Sequence, residues 1–369
     1  MNALTASYRR SLDNGVLFAV LSATGFSLKA IFVKLSYAAA PVDAITVLSL
    51  RMGLALPLFA WLLWLSRGTG QARLSAKDWA HVLLLGMLGY YLSSLFDFYG
   101  LQYISAGLER LILFTYPTLV LLLQMLALGE RPGPRTFLAL GLCYLGLSIA
   151  LVHDIRVEGD SEQILLGAAW VFASAVTYAL YYLGTGVVIR RVGSMRLAGL
   201  AGGSSAIMVL IHYGISGEPT QLASLPGEVW LYGALMALLS TVLPIYWMAL
   251  AVQRMGASHA ALFGNLGPVL TLFAAWVLLG EAITLYQIAG LALLVYALAA
   301  WVGALQGATD PLKPLGQMQA GASQSSAKSG AWQTLSSPTE LDAALAEAKA
   351  SGQPLLLDWY ADWCISCKV

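Results

Sequence analysis

YPTLVLLLQMLALGERP, at residues 116–132, decides the fold of this chain because GPVLTLFAAWVLLGEAIT follows it at residues 267–284. In each stretch a proline near the start is followed by an apolar run and then by a Gly-Glu pair. Apolar residues coincide by chance in any hydrophobic sequence, but a proline, a glycine and a glutamate on one shared offset do not. The chain therefore contains an internal repeat.

This repeat extends well beyond the two stretches. A shift of 152 positions superimposes Gly15 on Gly167, and Ser22-Ala23 on Ser174-Ala175. A shift of 151 positions superimposes Trp79 on Trp230, Gln102 on Gln253, Ala106 on Ala257, Pro117 on Pro268, Leu119 on Leu270, and Leu128-Gly129-Glu130 on Leu279-Gly280-Glu281. We therefore predict a first repeat at 1–153 and a second repeat at 154–305.

The composition places both repeats in a membrane. Hydrophobic residues make up 59% of the 369 residues and charged residues 11%, against about 25% charged residues in soluble proteins. A span needs about 20 mostly apolar residues. Ten stretches meet this need: roughly 15–36, 44–66, 79–101, 105–128, 134–152, 164–188, 197–215, 229–251, 257–280 and 285–305. The predicted class is an all-α integral membrane protein with ten transmembrane helices.

The N-terminus leaves one alternative open. Arg9 and Arg10 precede an apolar run that ends in small residues, as in a cleaved signal peptide. Lys29 and Lys34 interrupt that run, and the repeat needs this segment as its first span, so we expect it to be retained.

Charge and cysteine content exclude several function classes. A net charge of +1 gives no basic surface for a nucleic acid. The three cysteines, Cys143, Cys364 and Cys367, are too few for a disulfide framework and have no zinc-site spacing. We therefore expect no metal and no cofactor.

The odd number of spans per repeat fixes their relation. A second five-span unit enters the membrane from the opposite face, so the halves are related by a two-fold axis in the membrane plane. With the N-terminus inside, eleven basic residues lie in cytoplasmic segments, namely Arg9, Arg10, Arg67, Arg73, Lys77, Arg131, Arg135, Arg190, Arg191, Arg196 and Arg254. Only Lys34, Arg110 and Arg156 lie at outer ends. Both termini are therefore predicted to be cytoplasmic, in the inner (plasma) membrane.

The repeat, with a Pro-centred segment and a Gly-Glu pair closing the fourth span of each half, resembles the EamA family of the drug/metabolite transporter superfamily. The resemblance covers about residues 15–305. It implies ten helices, a central cavity between the halves and alternating access, and it implies a transporter and no enzyme. It says nothing of the solute.

Charged residues inside the spans occur almost entirely in the first repeat. Because such groups are costly in a bilayer, they usually face a cavity or one another. The outer half of the first repeat collects Lys29, Lys34, Arg51 and Arg110 against Asp97 and Glu109. At the equivalent positions of the second repeat, Tyr181 replaces Lys29 and Ala260 replaces Glu109.

This asymmetry has two interpretations, which the sequence leaves open. The charges either pair with one another for structure alone, or they serve a site. In the second case the excess of cations favours a solute with a carboxylate or another anionic group, held by Arg51 or Lys29. Asp97 or Glu109 is then the candidate proton carrier, because burial raises the pKa of a carboxyl group toward neutrality.

Aromatic and amide side chains extend the candidate site. Tyr178 and Tyr182 share one helix face, and Tyr90 lies near mid-span in the third stretch. They either line the cavity or pack helices together. Asn265 lies three residues before Pro268, whose ring frees a backbone carbonyl for the amide to bind. All four residues are candidates for solute binding.

The C-terminus has a different character. Residues 306–331 are rich in Gly, Ser, Ala, Pro and Gln and are predicted to form a disordered linker. Residues 332–369 end in DWYADWCISCKV, which resembles the opening of the thioredoxin-like domain of DsbD-type disulfide reductases. The resemblance implies that Cys364 attacks and Cys367 resolves. The active helix and the remaining strands would follow residue 369, so we expect a truncated thioredoxin-like fragment with little redox activity of its own.

These patterns predict a secondary transporter that exports or exchanges a small metabolite, with an amino acid or a similar carboxylate as the preferred solute. An electron conduit to the terminal cysteines needs a dithiol within the membrane, whereas the spans contain Cys143 alone. A multidrug-type cation exporter is less favoured, because the first span carries Lys29 where a carboxylate would be needed. A non-transporting membrane scaffold is a further alternative. The sequence indicates no oligomeric state.

Overall fold

The computed structural model describes residues 2–68, 74–128, 134–158, 161–217, 219–255 and 266–305, and the regular elements among them are all helical. The helices in chain order are α1 (Asn2–Ala39), α2 (Ala44–Leu65), α3 (Ala76–Gly86 and Ser93–Gly100, joined by the π turn Met87–Leu92), α4 (Ala106–Leu113), α5 (Tyr116–Leu128), α6 (Pro134–Glu158), α7 (Ser161–Val192), α8 (Ser194–Ser216), α9 (Pro219–Ser224), α10 (Gly227–Ala237 and Leu243–Met255, joined by the π turn Leu238–Val242), α11 (Leu266–Leu279) and α12 (Leu285–Leu305). The predicted all-α class is therefore confirmed for the part of the chain that the structure describes.

Six of the described helices are long and apolar enough to cross a membrane. They cover Gly15–Ala39, Ala44–Leu65, Ala76–Gly100, Ser161–Thr185, Ser194–Ser216 and Gly227–Ala251. These six coincide with the predicted first, second, third, sixth, seventh and eighth spans. The other four predicted spans, and hence the total of ten, stay predictions.

The predicted fourth span is not continuous. α4 ends at Leu113, two residues form a turn, and α5 begins at Tyr116. The N–H groups of Phe114 and Thr115 still bond backwards, to the carbonyls of Arg110 and Ile112. Pro117 lies in the first turn of α5, where its missing N–H costs nothing. The proline therefore marks a break between two helices, and α4 and α5 are separate elements.

The π turns are an independent sign of duplication. Met87 starts the first and Leu238 starts the second, and these positions differ by 151, the offset of the sequence repeat. A π turn adds a residue to one helical turn and is often found at functional sites. Both halves therefore keep the same irregularity at the same point of the same helix.

The two halves interlock. α1, from the first half, packs on α10 and α11 of the second, whereas α7, from the second half, packs on α3 and α5 of the first. The pairs α2–α8 and α6–α12 also join the halves. Glycine permits the closest crossings: a Cβ at Gly202 would lie 2.3 Å from the Phe59 ring, and one at Gly146 would lie 2.7 Å from the carbonyl of Gly290.

Several predicted features lie outside the described residues. They are Asn265, the linker 306–331, and the segment 332–369 with Cys364 and Cys367.

Candidate solute site

Four charged side chains from α1, α3 and α4 meet in one cluster, called here the charge cluster. Lys29 Nζ lies 2.7 Å from Asp97 Oδ2 and 3.8 Å from Glu109 Oε1. Arg110 Nε lies 3.7 Å from Glu109 Oε2. Asp97 and Glu109 are 0% exposed, while the Lys29 side chain keeps 14% of its surface accessible. Lys29 is thus the member of the cluster that a solute can reach most easily.

The two carboxylates of the charge cluster lie next to two cations, and they are also within side-chain hydrogen-bonding range of each other. Within the described residues, no backbone N–H or hydroxyl group donates a hydrogen bond to Asp97 or Glu109. Arg110 is anchored separately, because its Nη2 donates to the carbonyl of Phe26 at 3.0 Å. Two cations and two anions balance, so the cluster is neutral when all four groups are ionised. Loss of one cation would leave a buried anion unpaired, which is strongly unfavourable.

Arg51 lies beside this cluster and is held differently. Its Nε donates to Thr241 Oγ1 at 2.8 Å, and its Nη1 contacts Ser94 Oγ at 3.4 Å. Its guanidinium lies 5.5 Å from the centre of the Phe98 ring. Among the described residues, no carboxylate lies within 4.0 Å of it, although the residue is only 5% exposed. Arg51 is therefore a buried cation whose direct partners are hydroxyl groups and a ring.

Thr241 is the second half's contribution to Arg51, and the π turn of α10 places it there. Its hydroxyl donates to the carbonyl of Met236, five residues earlier, at 2.8 Å. That bond leaves a lone pair of Thr241 Oγ1 free to accept from Arg51. Arg51 also lies within electrostatic range of Asp97 and Tyr90, so it borders both the charge cluster and the tyrosines described below.

Lys34 does not belong to the charge cluster. Its Nζ donates to the carbonyls of Leu101 and Ile104, at 3.4 and 3.0 Å, in the connection between α3 and α4. Of the four cations predicted in this region, Lys29 and Arg110 are the two in direct contact with the carboxylates. Lys29 and Arg110 balance the two carboxylates, and the excess charge next to them is that of Arg51.

Five tyrosines form a second group, called here the tyrosine cluster: Tyr90, Tyr116, Tyr178, Tyr181 and Tyr182. The ring centre of Tyr116 lies 4.9 Å from that of Tyr178 and 5.2 Å from that of Tyr182. The hydroxyls of Tyr90 and Tyr181 lie 3.1 Å apart. Tyr182 is 46% exposed. Arg110 lies within electrostatic range of Tyr116 and Tyr178, so the two clusters adjoin.

The structure thus brings together most of the predicted site residues. Lys29, Asp97 and Glu109 are in direct contact, and Tyr90, Tyr178 and Tyr182 lie in one cluster. Sequence reasoning missed Thr241 and Ser94, because single hydroxyl residues are common in membrane helices. One signal was present: a shift of 151 positions superimposes Tyr90 on Thr241. Within the described residues, no group of three or more His, Cys, Asp or Glu side chains is placed to hold a metal.

Comparison with known proteins agrees with this architecture. The family model described as "EamA-like transporter family" matches residues 13–152 and 165–302, and a thioredoxin-like family model matches residues 332–369. The uncharacterized transporter YcbK of Bacillus subtilis is 29% identical over 299 residues, which cover 79% of this chain and 93% of that protein. A solved crystal structure has a TM-score of 0.54 and 20% sequence identity, covering 79% of this chain and 96% of that one, and it shows the fold alone.

The C-terminal segment has relatives of another kind. The thiol:disulfide interchange protein DsbD 1 of Pseudomonas aeruginosa is 57% identical over 89 residues. That match covers 23% of this chain and only 15% of the relative's length. The two family models together account for most of the sequence. This chain carries a thioredoxin-like segment at its C-terminal end. It belongs to the EamA-like transporter family and is a multi-pass membrane protein that transports a small-molecule solute across a lipid bilayer.

Proposed function

We propose that this transporter carries a small solute with a carboxylate or another anionic group, such as an amino acid, and that Arg51 binds the anionic group. The observation that carries the proposal is the state of Arg51, a buried guanidinium whose direct partners are hydroxyl groups. A buried cation with no carboxylate in direct contact is expensive, and a carboxylate on the solute would supply that contact. The planar guanidinium matches a carboxylate with two parallel hydrogen bonds.

Lys29 is the proposed second contact, and Glu109 the proposed proton carrier. A solute carboxylate that reaches Lys29 competes with Asp97 and Glu109 for the same ammonium group. A proton on Glu109 removes one competitor and keeps the cluster neutral after the anion binds. The solute and the proton then cross together. Tyr90, Tyr178 and Tyr182 are proposed to line the path of the remaining part of the solute.

Counterflow in proteoliposomes tests this function. Vesicles loaded with an unlabelled candidate solute take up the labelled form if the protein exchanges it, and amino acids, other carboxylates and organic cations are tested in turn. We expect carboxylates to exchange and Arg51→Gln to lower the exchange by roughly 10- to 100-fold, the equivalent of a charged hydrogen bond worth about 1.5–3 kcal/mol. Arg51→Lys keeps the charge but loses the bidentate geometry, so it should retain part of the activity.

Arg191→Gln is the matched control, because Arg191 Nη2 is held by Asp78 at 3.2 Å and its side chain is 69% exposed. It should exchange solute as the wild type does. Exchange of organic cations alone would exclude the anionic solute, and full carboxylate exchange by Arg51→Gln would exclude Arg51 as its binding residue. No exchange of any solute would favour a scaffold.

We further propose that the chain crosses the inner (plasma) membrane ten times with both ends in the cytoplasm. The six long helices support this topology, as does the packing of α6 on α12, one further helix from each half. Fusions of green fluorescent protein and of alkaline phosphatase after Leu305 and after Ser216 test it. The topology requires fluorescence after Leu305 and phosphatase activity after Ser216. Export is the proposed direction when the solute accumulates inside.

Thiol–disulfide exchange at residues 332–369 is a second candidate function, favoured by the 57% identity to DsbD 1. Cys364 would attack a substrate disulfide and Cys367 would resolve the mixed disulfide. Reduction of a model disulfide by the purified, pre-reduced chain tests it, with Cys364→Ser as the control. Equal rates for the two proteins would exclude this activity.

A further inference from the structure

α4 carries Glu109 and Arg110, and acceptors outside the helix bind the backbone N–H groups of its first turn. The first four N–H groups of any α-helix have no partner within the helix. In α4 the N–H of Leu108 is accepted by the hydroxyl of Ser105, and that of Glu109 by the Ser105 carbonyl. Two N–H groups therefore need an acceptor from elsewhere.

Glu281, from the second half, supplies that acceptor. Its Oε1 accepts from the N–H of Ala106 at 3.1 Å, and its Oε2 accepts from the N–H of Gly107 at 3.4 Å. Ala106 is fully buried, so water cannot replace the carboxylate without rearrangement. The negative charge also lies at the positive end of a helix, where it is favoured. One carboxylate thus satisfies both remaining N–H groups.

The local backbone is built for this contact. Gly280 adopts a φ of +69°, which lets the chain turn immediately after α11 and point Glu281 towards α4. Gly107 permits the close approach, since a Cβ there would lie 2.8 Å from Leu272 Cδ2 and 3.5 Å from Gln287 Nε2. α4 is therefore pressed against α11 and α12 at one end of the membrane, and Glu281 closes that seam.

We propose that Glu281 is a positioning residue that sets the charge cluster in place and closes one side of the transporter, and that its contact with α4 breaks when that side opens. The contact joins the two halves at the N-terminal end of α4, one turn before Glu109. If the halves rock about the site, this end separates only when Ala106 and Gly107 lose the carboxylate. The inference rests on transport by the alternating access that the EamA resemblance implies, and it is independent of the anionic solute.

Cysteine accessibility tests this role without any solute. In a background with Cys143, Cys364 and Cys367 changed to serine, Leu108→Cys places a reporter thiol one residue beyond the seam, at a side chain that is 1% exposed. A membrane-impermeant maleimide is applied to right-side-out and to inverted vesicles. We expect Glu281→Ala to raise the labelling rate about tenfold from the face at which α4 begins, because two buried N–H groups lose their acceptor.

Two further variants keep the test decisive if Glu281→Ala folds poorly. Glu281→Gln retains the shape and loses the charge, so it should give a smaller increase of the same sign. Gly107→Ala widens the seam while Glu281 is intact, and it too should raise labelling from that face. The matched controls are Glu162→Ala, an exposed carboxylate in the first turn of α7, and Gly214→Ala, where an added Cβ meets nothing within 4 Å.

The outcomes separate this inference from the proposed function. Faster labelling from the face at which α4 begins, with both controls unchanged, supports the seam whatever the solute is. Unchanged labelling in a Glu281→Gln protein that melts at the wild-type temperature overturns it, even if carboxylate exchange is found. Equal increases from both faces would also overturn it, since they report general loosening.

Discussion

The two halves of the membrane unit keep one skeleton and carry different chemistry. Their π turns start at equivalent positions, Met87 and Leu238, and the first helix of each half packs against helices of the other half. The charges follow no such symmetry. The repeat register pairs each member of the charge cluster with an uncharged residue: Lys29 with Tyr181, Asp97 with Met248, Glu109 with Ala260 and Arg110 with Ala261.

This difference separates what the fold needs from what the site needs. Prolines, glycines and π turns occur in both halves because both must make the same breaks and close crossings. The charge cluster occurs once, since the fold is complete without it in the second half. Apart from Glu281 at the start of α4, the described contacts of that half with the site are neutral: the hydroxyl of Thr241 with Arg51, and that of Tyr181 with Tyr90.

The comparison predicts that contacts within and between the halves rank by charge, and the Lys29–Asp97 ion pair comes first. Lys29→Met leaves Asp97 buried without its closest cation, so we expect the free energy of unfolding to fall by about 3–5 kcal/mol. Lys29→Met/Asp97→Asn removes both charges and should recover most of that loss. Chemical denaturation in detergent of the wild type, Lys29→Met, Asp97→Asn and the double variant measures the coupling energy. If Lys29→Met is as stable as the wild type, the ion pair is not what compensates Asp97.

Glu109 should separate function from stability within the same cluster. Glu109→Gln keeps the shape of the side chain and cannot exchange a proton. We expect wild-type exchange to become faster as the pH falls on the side from which labelled solute is taken up. The variant should lose this pH dependence. Its exchange should be about tenfold slower, the equivalent of about 1.4 kcal/mol. Glu162→Gln, an exposed carboxylate on α7, should retain the wild-type profile. A pH-dependent Glu109→Gln protein would exclude Glu109 as the proton carrier.

The fold was largely predictable because its signals are repeated and local. Apolar length predicts the long helices, and the Pro and Gly-Glu offsets predict the duplication. What the sequence did not predict was the break between α4 and α5. The mostly apolar residues around Pro117 are compatible with one kinked helix or with two helices, and the choice depends on how α7 and α1 pack against them.

The site was predictable in its charges and not in its partners. A lysine or a glutamate within a span is rare and therefore visible, whereas Thr241 is one hydroxyl among many. Lys34 is as visible in the sequence as Lys29, five residues away, and it binds backbone carbonyls at the α3–α4 connection. Five residues carry a side chain more than one turn along the helix and to a different face. The presence of a charge in a span therefore does not by itself identify the residues that the charged group contacts.

Thr241 tests the contact between a charged and a neutral group, and the expected loss of stability is smaller than that of Lys29→Met. Thr241→Val removes the acceptor for Arg51 Nε and leaves a buried donor unsatisfied, which costs about 1–3 kcal/mol. We expect a lower unfolding free energy of this size and weaker solute binding, since Arg51 loses its orientation. Thr177→Val is the control, because Thr177 bonds only to carbonyls of its own helix among the described residues. Equal stability of the two variants would show that Arg51 does not depend on the second half.

Tyr90 and Tyr181 provide the neutral counterpart and the smallest effect. Tyr90 occupies the position in the first π turn that Thr241 occupies in the second, and its hydroxyl meets Tyr181 across the halves at 3.1 Å. A bond between two neutral groups is worth about 0.5–1.5 kcal/mol, so the cycle of Tyr90→Phe, Tyr181→Phe and the double variant should give a coupling energy in that range. Thermal unfolding measures it. A coupling energy as large as that of Lys29 and Asp97 would mean that position across the two halves, and not charge, ranks these contacts.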